Sequence, residues 1–267
     1  MDSLALLSRY FGASVRAQAL YPGVILLTAL GAFAANFIDI FAIAALFGRF
    51  GQVQGWRFGE VAFFYGIVSI SFAIADFISR GFDVLGTEFI RTGNFDRILL
   101  RPRSLALQLV GYDFRLSRLG RLAQGAAVLA IASHALHFLW DPAAAALAAW
   151  AVAGGVALFC GLLVFQATLA FWTVESLEIA NVLTYGGVQA AQFPLSLYAP
   201  WFRGFLIFVV PLGCVAYFPV VALLGRHDPL GAPDWFLPVS PVFGVLFLVV
   251  ALWSWGFGVR RYTSSGS

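Results

Sequence analysis

Long apolar runs separated by short polar segments are the feature that most constrains this chain. A helix needs about 20 predominantly apolar residues to cross a bilayer, and runs of that length recur along the 267 residues. Hydrophobic residues make up 61% of the chain and charged residues 11%, with a mean hydropathy of +0.88. Such a composition cannot cover a soluble domain with polar surface. The sequence predicts a single all-α polytopic membrane domain over residues 1–267.

Six spans account for the apolar runs. We predict them at about residues 22–47, 60–79, 119–139, 146–172, 204–224 and 239–259. Residues 4–18 separate apolar from arginine side chains and predict an interfacial helix, with accidental periodicity in a frayed lead-in as the alternative. The fifth span is interrupted by Pro211 and Pro219, and the more polar residues 175–203 are predicted to return along the inner side.

Arginine is concentrated between the second and third spans. Arg80–Arg121 contains eight of the sixteen arginines and four acids. Because positive charge accumulates on the cytoplasmic side of membrane proteins, residues 80–118 are predicted to be cytoplasmic, with both termini on the same side. This arrangement places thirteen arginines inside and three outside. The charge pattern indicates membrane topology and contact with lipids, and not nucleic-acid binding.

The chemistry that is missing excludes several functions. The chain has no lysine, so it contains no phosphate-binding loop of the form GxxxxGK[ST]. It also has no GxSxG or HExxH motif, and its three scattered histidines are weak evidence for a metal site. We expect no catalytic residues, no metal and no cofactor in this chain, and any nucleotide-driven work would belong to another subunit.

Two acidic residues are predicted within spans. Asp39 in the first span is a candidate contact for a cationic substrate, since a carboxylate in lipid usually faces a cavity or a partner. It could instead bond to Asn36 or to a neighbouring helix. Asp76 lies four residues before Arg80, and this spacing favours a structural ion pair on one helix face.

Two motifs resemble those of type-2 ABC exporter permeases. Residues 93–102 read Gly-Asn-Phe-Asp-Arg-Ile-Leu-Leu-Arg-Pro and are similar to the family segment G-x-x-D-x-x-L-x-R-P. Residues 193–198 read Phe-Pro-Leu-Ser-Leu-Tyr and, with Arg203, Pro211 and Pro219 after them, resemble its P-x-S-x-Y … R … P … P segment. The order of segments also matches over nearly the whole chain. The similarity extends to a branch whose members are often encoded as pairs beside one ATPase.

The resemblance implies a coupling helix over residues 95–100 that docks on an ABC ATPase dimer, where ATP and Mg would bind. Phe95, Ile98 and Leu99 would form an apolar knob surrounded by arginines, with Asn94 capping the helix. Binding of lipid headgroups by these arginines is an alternative, and both can hold. The predicted ATPase-coupling residues are Arg91, Asn94, Phe95, Asp96, Arg97, Ile98, Leu99 and Arg101.

Glu175 and Glu178 share a helix face after the fourth span. They are predicted to form a second cytoplasmic contact, for a basic partner surface, and a solvated helix end explains them equally well. The resemblance also implies a second permease subunit, with an unlike partner favoured over a homodimer. It places the complex in the bacterial plasma (inner) membrane as a multi-pass protein.

The same resemblance implies a transport path between the two permeases. The predicted lining residues are Asn36, Asp39, Phe63, Phe64, Phe72, Phe205 and Phe208. The cargo would be an amphiphilic or cationic organic compound, drug or lipid, moved outward by alternating access. An ion-coupled secondary transporter or channel without an ATPase is the alternative, and it would need a network of buried polar residues. A scaffold protein is a third possibility.

Overall fold

The computed structural model describes residues 3–114, 116–172 and 181–262. The first part of the fold contains one preceding helix and two long helices that are joined by a two-stranded antiparallel hairpin. These elements are α1 Ser3–Ala19, α2 Pro22–Phe50, β1 Gln52–Val53, β2 Trp56–Arg57 and α3 Phe58–Asp83, and α3 continues as a π-helical turn over Leu85–Ile90.

Short helices follow α3, and two long helices come after them. The elements are α4 Phe95–Leu99, α5 Leu105–Val110, a 3₁₀ turn over Leu116–Arg118, α6 Leu119–Ala135 and α7 Pro142–Leu169. Asp141 caps α7 by accepting a 2.6 Å hydrogen bond from the N–H group of Ala144, and Pro142 occupies the first turn, where its missing N–H group has no helical partner.

The last part of the fold is broken into short segments before its final long helix. The elements are a π-helical segment Val182–Gly186, α8 Gly187–Ala191, a 3₁₀ turn over Leu195–Leu197, α9 Pro200–Gly204 with a π-helical continuation Phe205–Val209, a π-helical segment Gly213–Tyr217 leading into α10 Phe218–Leu223, α11 Phe236–Val239 and α12 Val242–Arg261.

Helix α3 is the centre of the bundle. It is buried along most of its length and packs mainly against α6 and α7, while α12 packs against α7. Small residues allow these close approaches. A methyl group on Gly66 would lie 2.9 Å from the Cα atom of Leu129 in α6. By contrast, α2 contacts the bundle along one narrow side and leaves most of its apolar surface exposed.

The bundle has two chemically different ends. The hairpin end carries β1 and β2, where Arg226 forms a 3.0 Å ion pair with Glu60 and lies over the ring of Trp56. The basic end is formed by residues 80–118. Helix α1 packs there through Phe11 against Phe114, and the last turn of α12 also lies there. Both ends of the described chain therefore lie at the basic end.

Four helical stretches in the described residues are long and apolar enough to cross a membrane. They are Pro22–Phe50, Phe58–Ile90, Pro142–Leu169 and Phe236–Arg261, and they coincide with the first, second, fourth and sixth predicted spans. Helix α6 has 17 residues and ends at Ala135, not at the predicted residue 139. The chain turns out of the helix because His137 adopts a positive φ of 49°.

The fifth predicted span, residues 204–224, is wrong as a single helix. The two segments Pro200–Val209 and Gly213–Leu223 are bent by 84°. Pro211 lies in the bend, and a proline cannot donate the backbone hydrogen bond that would continue a helix. We call these two segments the bent arm. If the arm counts as one span, the described residues contain five candidate spans instead of four.

Residues 181–196 extend from the basic end to the hairpin end. Near the basic end, Asn181 accepts a 3.0 Å hydrogen bond from Gln166. Near the hairpin end, Ser196 accepts a 2.8 Å hydrogen bond from the indole N–H group of Trp56. The prediction that the whole of residues 175–203 returns along the inner side was therefore wrong. Polar side chains in the described part of this segment form hydrogen bonds inside the bundle, as Gln192 does with Ser69.

Candidate coupling surface and transport groove

Helix α4 packs against the bundle through Phe95. This side chain is 0% exposed, and its ring centroid lies 5.3 Å from that of Phe171 and 4.8 Å from that of Tyr262. Ile98 on the same helix face is also buried. The expectation that Phe95 and Ile98 belong to an exposed knob was wrong, because both side chains are buried and Phe95 is covered by Phe171 and Tyr262.

The exposed side of α4 is apolar at its tip and basic around it. Leu99 is 40% exposed and Leu100 is 85% exposed. Arg97 and Arg101 flank them with exposed side chains. We call Arg97, Leu99, Leu100 and Arg101 the coupling surface. Arg91 and Arg103 lie near it and are also exposed, while Asp96 is half-buried.

Asn94 does not cap α4. Its backbone is already helical, with φ −67° and ψ −13°, and its side chain makes no capping hydrogen bond. The amide group instead donates to the hydroxyl group of Thr92 at 2.8 Å and to the backbone oxygen of Glu88 at 3.4 Å. Asn94 therefore stabilises the loop before α4, where Gly93 adopts a positive φ of 71°.

A polar cluster lies between the bundle helices near the basic end, and we call it the buried polar cluster after its buried members Gln166 and Thr184; Asn181 and Tyr185 at its edge are exposed. The amide group of Gln166 donates to Asp83 at 3.2 Å and to Asn181 at 3.0 Å, and its oxygen accepts from Thr184 at 3.3 Å. Tyr185 donates to Asp83 at 3.0 Å. This cluster links α3, α7 and residues 181–186. The sequence analysis missed it, although Asp83 and Gln166 stand out as polar residues at the ends of apolar runs.

The predicted ion pair between Asp76 and Arg80 is present at 3.9 Å. Arg80 also pairs with Asp83, and Arg118 of the next segment approaches Asp76 at 3.4 Å and Asp113 at 3.4 Å. Three carboxylates and two arginines thus share this region. Their mutual pairing satisfies charges that would otherwise be costly so near apolar surroundings.

The three aromatic residues predicted to line a path on α3 lie in the core. Phe63 packs against Phe138, and Phe64 stacks on Tyr217. Phe72 packs against Phe159. Phe63, Phe64 and Phe72 are each at most 1% exposed, so the prediction that they line an open path was wrong. Their role is to hold α3 against its neighbours.

The other predicted lining residues lie outside that core. Asp39 is half-buried on α2, and Asn36 lies on the same helix, with its side chain outside the described part of the structure. Phe208 on the bent arm is 85% exposed, whereas Phe205 is half-buried. Phe205 lines an open cavity of about 190 Å³ between the bent arm and residues 182–190. We call this cavity the apolar groove.

Comparison with protein families identifies the chain. The family described as "ABC-2 family transporter protein" matches residues 33–266, which is most of the sequence. The chain belongs to the ABC-2 transporter family. Comparisons with curated proteins and with solved structures find no match.

Family membership makes this chain a multi-pass transmembrane permease that is not itself catalytic and that associates with an ABC ATPase. The matched region includes the coupling surface, the buried polar cluster and the apolar groove. Glu175 and Glu178, the predicted second contact of the permease, lie outside the described residues.

Proposed function

We propose that this permease is the transmembrane subunit of an ATP-driven exporter. A separate ATPase dimer, which holds ATP and Mg, closes on ATP and pushes on the basic end of the bundle. The permease then switches access to an amphiphilic or cationic organic compound, a drug or a lipid, from the inner to the outer side. The switch is an alternating-access transition between two states of the whole bundle.

The coupling surface is the observation that carries this proposal. A one-turn helix has little stability of its own, yet α4 is held firmly through the buried Phe95 while Leu99 and Leu100 face outward. Two exposed leucines within a ring of arginines suit a protein groove with an apolar floor and an acidic rim. Force applied to α4 would reach α7 and α12 through Phe171 and Tyr262.

We propose six crossings with both termini in the cytoplasm. The crossings are α2, α3, α6, α7, the segment that includes residues 181–196, and α12, while the bent arm enters and leaves at the hairpin end. Two observations support this. The ends of the described chain lie together at the basic end, and arginines are concentrated there, as the positive-inside rule predicts. Arg203 then lies on the outer side.

The proposal also includes the partners of the permease and the membrane in which it lies. The exposed apolar face of α2 includes Leu27, Ile38 and Phe41 and is available to membrane lipids and to a second permease, for which an unlike subunit is favoured. Asn36 and Asp39 on α2 remain predicted path residues, together with Phe205 and Phe208. Glu175 and Glu178 remain the proposed second contact for the ATPase, and the bacterial inner membrane remains the proposed location.

Copurification from mild detergent tests the coupling surface. The wild-type permease is expected to bring down an ABC ATPase and a second permease. The double variant Leu99→Asp with Leu100→Asp should lose the ATPase, because two carboxylates would replace the apolar tip and weaken its contact. Leu139→Asp is the matched control, since Leu139 is equally exposed, at 85%, outside the basic end.

Each result has a definite meaning. Loss of the ATPase from the coupling-surface variant alone supports the proposal, provided that all variants elute as folded protein. Absence of any ATPase from folded wild-type samples would overturn the ATP-driven mechanism. Retention of the ATPase by the double variant would move the contact away from Leu99 and Leu100.

The buried polar cluster favours one rival function. An ion-coupled transporter needs polar groups inside its bundle, and the buried Gln166 and Thr184, with the half-buried Asp83, meet this requirement. Transport in proteoliposomes separates the two mechanisms. Uptake that depends on ATP and is unaffected by collapse of the proton and sodium gradients supports the exporter, and the reverse pattern supports the rival.

A further inference from the structure

A small cavity with charged walls lies at the basic end between α2, α3 and α6. Two alanines, one carboxylate and two guanidinium groups line it, and they belong to Ala32, Ala73, Asp76, Arg118 and Arg121. Its volume is about 110 Å³. Since a water takes about 30 Å³ of liquid volume, the cavity is large enough for one small polar group. We call it the charged cavity.

The charged cavity lies at the depth of lipid head groups in the proposed topology. Arg121 is in the first turn of α6, and the 17 residues of this helix extend about 25 Å, at 1.5 Å per residue. The hydrocarbon core of a bilayer is about 30 Å thick. The first turn of α6 therefore lies close to the boundary between the hydrocarbon and the inner head groups.

Arg121 carries a positive charge that no described carboxylate pairs with. Its guanidinium carbon lies 5.1 Å from the centroid of the Phe72 ring, and no ion pair joins it to an acidic side chain in the described residues. The side chain is half-buried. A guanidinium group in this position suits the oxygens of a phosphate, which it binds through charge-assisted hydrogen bonds.

Asp76 presents the opposite charge to the same cavity. Its Oδ2 atom lies 3.4 Å from Nε of Arg118, and its Oδ1 atom lies 3.9 Å from a guanidinium nitrogen of Arg80. Both distances are longer than an ordinary N–H···O hydrogen bond of about 2.7–3.2 Å. Within the described part of the chain, the carboxylate accepts no hydrogen bond. A ligand with an N–H group would supply the missing donor.

The charges around the cavity balance one another. The described side chains of this region comprise three carboxylates and three guanidinium groups, which belong to Asp76, Asp83, Asp113, Arg80, Arg118 and Arg121. A ligand with a net charge would leave a partly buried cluster unbalanced, and buried charge without compensation is costly. A ligand that carries one positive and one negative group keeps the balance.

We propose that the charged cavity binds a zwitterionic head group that joins a phosphate diester to a primary ammonium group, from a phosphatidylethanolamine lipid of the inner leaflet. The phosphate pairs with Arg121, and the ammonium group donates to Asp76. The acyl chains remain in the bilayer beside α2, whose apolar surface is mostly exposed. This inference depends on the proposed position of the basic end at the inner leaflet, and it does not depend on export or on ATP.

Three lipids with the same dioleoyl chains test the head group. Phosphatidylethanolamine has N–H donors, phosphatidylcholine has a cation without them, and phosphatidylmethanol has a phosphate and no cation. Each is titrated into the detergent-purified permease, and bound lipid is counted by native mass spectrometry. Phosphatidylethanolamine is expected to bind at least about tenfold more tightly than the other two. Equal affinities, or tightest binding of either other lipid, would overturn the inference.

Charge-removing variants then assign the two halves of the head group. Arg121→Gln should weaken phosphatidylethanolamine and phosphatidylcholine alike, each about tenfold, because both carry the phosphate. Asp76→Asn should lower the affinity for phosphatidylethanolamine to that for phosphatidylcholine. The exposed Arg49 and Asp234 supply the matched controls, and Arg49→Gln and Asp234→Asn should change neither affinity.

A cavity-filling variant keeps every charged group in place. Ala32→Leu should weaken all three lipids, because the larger side chain occupies the space that the head group needs. Ala35→Leu is its control, since Ala35 is exposed on the same helix. Wild-type binding by folded Ala32→Leu and Arg121→Gln would refute the site. This pair decides the question if Asp76→Asn fails to fold.

Two further measurements separate the source of the ligand and the proposed function. If soluble glycerophosphoethanolamine binds as tightly as the lipid, the ligand is a soluble compound and the lipid assignment is overturned; much weaker binding supports the lipid. The same detergent samples report copurified ATPase. Its absence from the wild-type permease would refute the exporter and leave lipid binding to be judged by the titrations. Unselective lipid binding with the ATPase retained would refute only the charged cavity.

Discussion

Replacing Phe95 by alanine is expected to detach α4 from the bundle. Removal of a buried phenylalanine ring costs about 3–5 kcal/mol in a protein core. That range includes the ring contacts with Phe171 and Tyr262, since aromatic pairs contribute about 0.5–1.5 kcal/mol each. Because α4 has only five residues, it cannot remain folded without this anchor. The loss should therefore be seen as local opening of the segment around α4.

Amide hydrogen exchange measures this opening directly. A loss of about 3–5 kcal/mol corresponds to an opening constant that is larger by a factor of about 10² to 4 × 10³, since about 1.4 kcal/mol is a factor of ten. We expect this acceleration at the protected amides of α4, with the amides in the middle of α3 unchanged. Leu100→Ala is the control, because Leu100 is 85% exposed and surface substitutions change stability by about 0.5 kcal/mol or less.

Unchanged exchange in Phe95→Ala would refute the reasoning. It would mean that α4 is held by contacts other than the ring of Phe95. A double-mutant cycle with Tyr262→Ala adds a second check, since two residues in direct contact should show a coupling energy of about 0.5–3 kcal/mol. A coupling energy near zero would show that the ring contact between them does not stabilise α4.

Three further predictions concern packing, the hairpin end and pH. Gly66→Ala should lower the unfolding free energy by about 1–3 kcal/mol, because its methyl group would overlap the backbone of α6. Gly48→Ala is the control and should not lower it, because the added methyl group would contact no other residue. Arg226→Gln should cost about 1–2 kcal/mol by removing the pair with Glu60 and the cation–π contact. Burial raises the pKa of Tyr198 from its ordinary value of 10.0 to about 12, so its contribution to stability should be complete below pH 10 and lost as the pH rises through 12. Tyr198→Phe should therefore show a shallower loss of stability over this interval.

Denaturant titration of the purified permease measures the first two effects, and thermal unfolding between pH 9 and pH 12 measures the third. Equal stability of the two glycine variants would contradict the close approach of α3 and α6. A coupling energy near zero in a double-mutant cycle of Glu60→Gln and Arg226→Gln would show that the ion pair contributes nothing. Identical pH profiles for wild type and Tyr198→Phe would contradict the burial of this hydroxyl group.

The coupling region shows how far sequence reasoning extends. The motif over residues 93–102 correctly predicted a short helix followed by Pro102, because proline at that position cannot continue a helix. It did not predict which face of the helix is exposed. In a helix of five residues, neighbouring elements decide the buried face, and here Phe171 and Tyr262 cover Phe95. Those contacts join residues more than seventy positions apart.

The segment after α7 was misjudged for a related reason. The more polar composition of residues 175–203, which include Gln192 and Ser196, suggested a position along the inner side, since polar side chains are costly within lipid. Inside the bundle, Gln192 forms a hydrogen bond with Ser69, and Ser196 forms one with Trp56. The polarity of these side chains therefore did not indicate whether the segment lies at the membrane surface or within the bundle. Likewise, Pro211 and Pro219 indicated an interruption of the fifth span, but they did not predict the angle of 84° between its two segments.

The sequence by itself determined the class of protein. Long apolar runs and the positions of arginines reflect how side chains partition between lipid and water, so they can be interpreted without knowing any tertiary contact. Lipid selects long apolar helices, and the motif over residues 93–102 predicted the short helix α4. Only the tertiary structure decided that Phe63, Phe64 and Phe72 are core residues, that Leu100 is exposed, and that an apolar groove lies between the bent arm and residues 182–190. An apolar side chain is equally suited to lipid, to a protein core and to a ligand groove, and only its packing partners distinguish the three.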